Sequence, residues 1–186
     1  MTNLPPAVQA LVTYATTHGH TGKIAGRIGE VLGVAGFEVT VHDASKGSVP
    51  SVADFELVVA GASIHGGHHQ AELVGWAREQ ADALARRPSA FFSVCLAVAD
   101  DTEESRVAAN GYLADFEEET GWAPRLSTTF AGALQYQEYD FWTRLLIRTM
   151  MKRGGHPTDT SRDYDYTDWD AVDAFAHKCA GMLQAA

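Results

Sequence analysis

The chain has 186 residues, a mass of 20.1 kDa and a formal net charge of −10 at pH 7. Its length suits one compact domain, and its hydrophobic content of 46% excludes a disordered or collagen-like chain. The strong negative charge disfavours direct binding of nucleic acid and favours basic protein partners.

Strand-like and helix-like segments alternate along the chain. Strands are predicted over residues 8–15, 37–42, 55–62, 90–98 and 126–134. Helices are predicted over residues 20–35, 73–86, 103–119 and 169–183. Because parallel strands need crossover connections, this alternation predicts an α/β fold: a five-stranded parallel sheet with helices on both faces.

The connection before the last helix, residues 135–165, is too long for a simple turn, so we expect a single domain over 1–186 with one long insertion. Within the insertion, Arg144, Arg148 and Lys152 share one face of a predicted helix, and apolar side chains lie on another. Two interpretations stay open for residues 141–153. The helix packs on the domain, or it makes peripheral contact with a membrane.

The loop after the first strand is the strongest candidate binding site. It consists of Thr16, Thr17, His18, Gly19, His20 and Thr21 and opens the first helix, whose N-terminus favours an anion. It matches neither G-x-G-x-x-G nor G-x-x-x-x-G-K, which disfavours a dinucleotide site or a nucleotide triphosphatase. Hydroxyls without a lysine suit the single phosphate of a mononucleotide such as FMN. The alternative is an ordinary helix start capped by Thr17 or Thr21.

The histidines and cysteines predict neither a metal site nor a disulfide framework. His65, His68 and His69 lie in a glycine-containing loop without a partnering carboxylate, so no metal site is predicted. Cys95 and Cys179 are far apart in the sequence, so no disulfide framework is predicted. We expect Cys179 to pack within the last helix.

The turn at 16–21 resembles the phosphate loop of the flavodoxin superfamily. Further stretches resemble the menaquinone-dependent protoporphyrinogen IX dehydrogenases in order along nearly the whole chain. They are residues 61–64, 88–91, 93–94, 131–134, 136, 154–155, 158–160 and 166–169.

This resemblance implies a flavodoxin-like fold, FMN as cofactor, and electron flow from a reduced substrate, a porphyrinogen, through FMN to a quinone. It also implies that two further loops contact the flavin ring. They are Ser63, Ile64, His65, Gly66 and Gly67 after the third strand, and Cys95, Leu96, Ala97 and Val98 after the fourth. Because the flavin carries the chemistry, no side chain is assigned as a catalytic acid or base.

The sequence departs from that family where the family tends to be basic. His65-Gly66, Asp100-Asp101 and residues 135–140 stand at these places, and fewer cations predict weaker binding of a substrate that carries propionates. The acidic balance favours an alternative function, a flavodoxin-like electron carrier between redox proteins. An interaction domain without flavin is a third interpretation. Residues 1–9 lack the pattern of a secretory signal, which predicts a cytoplasmic protein.

Overall fold

A computed structural model describes residues 7–99, 102–134 and 164–183. The strands are β1 Val8–Ala15, β2 Phe37–Asp43, β3 Leu57–His65, β4 His68–His69, β5 Ser89–Cys95, β6 Leu126–Ala131, β7 Ala133–Leu134 and β8 Tyr164–Asp165. The helices are α1 His20–Val34, α2 Ala71–Glu79, α3 Ala81–Ala85, α4 Glu103–Thr120 and α5 Trp169–Gly181. Short 3-10 helices cover Ala44–Lys46, Val52–Asp54 and Leu96–Ala99.

The central sheet has the strand order β2-β1-β3-β5-β6, and every neighbouring pair in this order is parallel. The five-stranded parallel sheet predicted from the sequence is therefore confirmed. The chain runs from β1 outward to β2 and then crosses back to β3 on the other side of β1, so the strand order reverses between β1 and β3. In sheets of this kind ligands bind outside the carboxyl ends of the strands at such a reversal.

Apolar side chains cover both faces of the sheet, as parallel strands require. One buried cluster joins Val12 and Phe92 to side chains of α1 and α5. The other joins Leu11 and Phe91 to side chains of α2 and α4, and it also contains Trp122. Two layers of helices thus hold the strands in place and leave the edge formed by their carboxyl ends for the loops.

Two strands end earlier than their apolar runs predict. The last partners between β5 and β6 are Cys95 and Ala131, and the chain then turns into the 3-10 helix Leu96–Ala99. Beyond this pair an extended chain would leave its N–H and C=O groups unpaired. The predicted strand 90–98 is therefore too long at its carboxyl end, and the predicted strand 126–134 is divided at Gly132 into β6 and β7.

The predicted third strand and second helix also have different bounds. The strand begins at Leu57 and runs to His65, beyond the predicted end at residue 62. The helical region predicted over 73–86 begins at Ala71 and is divided at Gln80, whose backbone leaves the helical range at φ −101° and ψ 5°. These differences arise because backbone pairing, and not hydrophobic periodicity, decides where each element stops.

Strands β7 and β8 form a separate antiparallel pair at the base of the predicted insertion. Ala133 pairs with Asp165, and Leu134 pairs with Tyr164. Residues 135–163, including the predicted basic helix at 141–153, lie outside the described residues. Among the helices that the structure describes, none is both long and apolar enough to cross a membrane.

Candidate functional site

Two of the three predicted loops meet at the carboxyl edge of the sheet. The ring of His18, in the loop after β1, lies edge-on to the ring of His65 at the end of β3, with 6.0 Å between centroids. Gln70, which follows the hairpin β3–β4, donates hydrogen bonds to both loops, to Thr17 Oγ1 and Ser63 Oγ. The fold therefore brings together segments that are about fifty residues apart in the sequence.

The loop after β1 is a tight turn built around Gly19. Its N–H donates to Thr16 Oγ1 at 3.0 Å, and its carbonyl accepts from Gly22 N–H at 3.1 Å. Gly19 has φ +83°, a left-handed conformation that favours glycine. It is the N-cap of α1, and no side chain caps this helix, so the interpretation of Thr17 or Thr21 as the cap is wrong.

The surroundings of this turn fit a phosphate. The helix that it opens has fifteen residues, and the first N–H groups of a helix lack partners within it. Thr17 is exposed, whereas Thr21 is fully buried with a hydroxyl that has no partner among the described residues. Buried hydroxyls normally find a partner. The turn thus offers hydroxyl and backbone N–H donors at the positive end of a helix, and it contains no lysine. This combination fits the mononucleotide phosphate predicted from the sequence.

The side chain of His20 is buried and lies against Thr167 and Asp165. Its Nε2 lies 2.7 Å from Thr167 Oγ1, and that hydroxyl donates to the carbonyl of Ala131 at 3.0 Å. Since the hydroxyl has one proton to donate, Nε2 carries the hydrogen of the His20 contact. Burial lowers the pKa of His20, which outweighs the opposing effect of Asp165 at 3.6 Å. Only the backbone N–H of His20 is placed at the helix start.

The glycine-containing loop predicted after the third strand is the tip of a β-hairpin formed by β3 and β4. Ile64 pairs with His69 and His65 with His68. Gly66 and Gly67 form the two-residue turn with φ values of +60° and +87°, the pattern of a type I′ hairpin. Ser63 and Ile64 are half-buried, whereas His65 and both glycines are exposed. The hairpin gives this predicted ring loop a defined backbone.

His69, which the sequence did not single out as a cofactor contact, anchors the hairpin in the core. Its Nε2 lies 3.0 Å from Ser93 Oγ, and its ring lies edge-on to Phe91 and Phe116 with centroids 5.4 and 5.3 Å away. Burial lowers the pKa of His69 to about 4. The imidazole is therefore neutral at pH 7.

Stability is expected to fall as the pH is lowered from about 6.5 to about 4. An unfolded histidine has a pKa near 6.5, so in this window the unfolded chain binds a proton that folded His69 does not. The expected loss from this group is on the order of 2–3 kcal/mol and is complete below its folded pKa. Urea unfolding at pH 7.5, 5.5 and 4.5 measures it. His69→Gln should lose less stability over this range than the wild type, and equal losses would contradict the prediction.

The third predicted loop follows β5. Cys95 ends the strand as a buried residue, and Leu96, Ala97 and Val98 lie in the 3-10 helix that packs against α4 and β6. Cys179 is buried in α5, where desolvation raises its pKa to about 12, in agreement with the predicted packing role. Within the described ranges no group of three or more His, Cys, Asp or Glu side chains is placed to hold a metal ion.

Sequence comparison connects the chain with flavodoxin domains and with two named dehydrogenases. The family described as "Flavodoxin domain" matches residues 11–161. Protoporphyrinogen IX dehydrogenase (quinone) of Leishmania major is 37% identical over 175 residues, which cover 94% of this chain and 75% of that protein. The protein of the same name from Escherichia coli K12 is 33% identical over 94% of this chain and 96% of its own length.

Solved structures support the fold alone, since their sequence identities are low. Oxidised flavodoxin 1 of Bacillus cereus has a TM-score of 0.55 and 16% identity, and the match covers 92% of this chain and 96% of the flavodoxin. Rubredoxin oxygen:oxidoreductase of Desulfovibrio gigas has a TM-score of 0.57 and 13% identity. The match covers 95% of this chain but only 36% of that larger protein.

Proposed function

We propose a function for this chain from the family to which it belongs, that of the flavodoxin-domain proteins that include the quinone-linked protoporphyrinogen IX dehydrogenases. It is an FMN-dependent oxidoreductase that takes electrons from a porphyrinogen and passes them to a quinone. The observation that carries the proposal is the tight turn at Thr16–Gly19, held beside the β3–β4 hairpin at the carboxyl edge of the sheet. FMN, when bound, supplies the redox chemistry.

The chain itself binds and orients the cofactor in this proposal. The N–H groups at the start of α1 and the hydroxyls of Thr16, Thr17 and Thr21 hold the phosphate. The backbone of Gly66 and Gly67 and the segment Cys95–Val98 contact the ring. Each of these assignments remains a prediction, and His20 contributes only its backbone.

Two of the three segments in which the sequence departs from the basic pattern of the dehydrogenases lie outside the described residues. They are Asp100-Asp101 and residues 135–140. His65-Gly66, the third departure, is exposed at the hairpin tip. We propose that the enzyme recognises its porphyrinogen with fewer cations than its relatives. A cytoplasmic location and peripheral membrane contact through 141–153 also remain predictions.

Anaerobic flavin reduction tests the proposed function. The purified protein is expected to show a flavin absorption spectrum or to acquire one on addition of FMN. Protoporphyrinogen IX should then bleach the flavin band, and a soluble quinone should restore it. A flavin spectrum that protoporphyrinogen IX leaves unchanged contradicts the substrate, and a protein that does not bind FMN contradicts the whole proposal.

An electron carrier between proteins is the second candidate, and the acidic surface favours it. The exposed side of α4 carries Glu103, Glu104, Asp115, Glu118 and Glu119, in a chain with a net charge of −10. Docking through such a surface weakens as salt screens the charges. Electron transfer from a basic partner should therefore slow steeply with ionic strength for a carrier. Turnover of an enclosed small substrate should change little.

A further inference from the structure

Gln70 links the two loops that approach each other at the carboxyl edge of the sheet. Its side-chain Nε2 donates to Thr17 Oγ1 at 3.1 Å and to Ser63 Oγ at 2.7 Å. Thr17 belongs to the turn after β1, and Ser63 lies in β3 just before the hairpin. One planar amide group therefore fixes the separation between these loops.

The position of the Gln70 side chain is not explained by helix capping, and its amide group is not fully hydrogen-bonded. Gln70 is the N-cap residue of α2, but its side chain makes no capping hydrogen bond. Glutamine is also not among the side chains preferred at that position. Its Oε1 is buried and has no donor among the described residues. A glutamine kept only for stability would gain from pairing this oxygen, so the contacts to the two loops account best for its orientation.

We propose that Gln70 is a positioning residue for the flavin nucleotide. It acts by holding the turn after β1, proposed to bind the phosphate, at a set distance from the β3–β4 hairpin, proposed to contact the ring. This inference rests on the proposed function, because it assigns Thr17 to the phosphate and Ser63 to the ring side. Only a ligand that occupies both loops depends on their separation. Gln70 therefore contributes to the preference for FMN over riboflavin, which lacks the phosphate.

Titrations of the apoprotein with FMN and with riboflavin test the proposal. Gln70→Leu removes both N–H donors and is expected to weaken FMN binding about 10-fold and riboflavin binding less than about 3-fold, because loops that are no longer linked must be ordered when the nucleotide binds. Gln80→Leu, at the opposite end of α2 and outside both loops, is the matched control and should leave both affinities unchanged. Equal losses for the two ligands, or no loss, would overturn the role of Gln70.

A second set of variants covers the case in which Gln70→Leu does not fold. Thr17→Val and Ser63→Ala each remove one end of the link, so the double variant should lose less FMN affinity than the two single losses combined. Additive losses would overturn the link. If wild-type protein binds neither flavin, the proposed function fails together with this inference. If it binds FMN and the variants do not differ from it, only the inference fails.

Discussion

Thr17→Asp is expected to weaken FMN binding by about 100-fold while the protein stays folded. Thr17 is exposed in the turn after β1, so its replacement buries nothing, and a carboxylate can still accept from Gln70 Nε2. Two like charges about 4 Å apart near a protein surface repel by roughly 4 kcal/mol, and salt reduces this value. The remaining repulsion between the aspartate and a phosphate dianion accounts for the expected factor.

Quenching of flavin fluorescence measures this effect. Riboflavin, which has no phosphate, serves as the comparison ligand and should lose less than about 5-fold, because no ligand charge faces the new carboxylate. Thr40→Asp adds the same charge at an exposed position of β2 and should leave FMN affinity nearly unchanged. An FMN affinity unaffected by Thr17→Asp would mean that the phosphate does not bind at this turn.

Gly61→Ala is expected to lower the free energy of unfolding by about 3 kcal/mol, at the upper end of the usual cost of overpacking a core. Gly61 lies in the centre of β3, between β1 and β5. A Cβ atom there would clash with the ring of Phe92, which is itself fully buried. Neither the strand nor the ring can move without disturbing the packing against α1 and α5.

Thermal unfolding measures this destabilisation as a drop of about 6–12 °C in the midpoint, given the usual scaling for a chain of this size. Gly75→Ala, in α2, is the control: its added Cβ meets nothing within 4 Å, and alanine favours a helix, so stability should stay equal or rise. Adding Phe92→Leu should recover part of the loss caused by Gly61→Ala. Strictly additive effects of the two substitutions would contradict the clash as the cause.

The sequence predicted the sheet well because buried parallel strands are long apolar runs separated by amphipathic helices. Ile24, Ile28 and Leu32 are all fully buried in α1, as their helical spacing indicates. The ends of the strands were less predictable. Cys95 ends β5 because its neighbour β6 ends at Ala131, and such a register is not visible in either segment alone.

The candidate site was predictable only in part, for a related reason. The turn around Gly19 could be placed because it directly follows the first strand. The hairpin was not predicted, because the sequence analysis treated the segment with Gly66 and Gly67 as a loop. A glycine pair between two paired segments is typical of a tight turn. Gln70 carried no sequence signal at all. Its importance depends on Thr17 and Ser63, which only the folded chain brings near it.

The antiparallel pair β7–β8 joins the two ends of the segment 135–163 to the rest of the domain. Because Leu134 and Tyr164 are paired directly, the segment between them starts and ends at one point of the domain. Doubling the length of a closed loop costs only about 0.6 kcal/mol, so the length of that segment hardly affects stability. We therefore expect related chains to tolerate insertion, deletion or replacement between β7 and β8 without disturbing the parallel sheet.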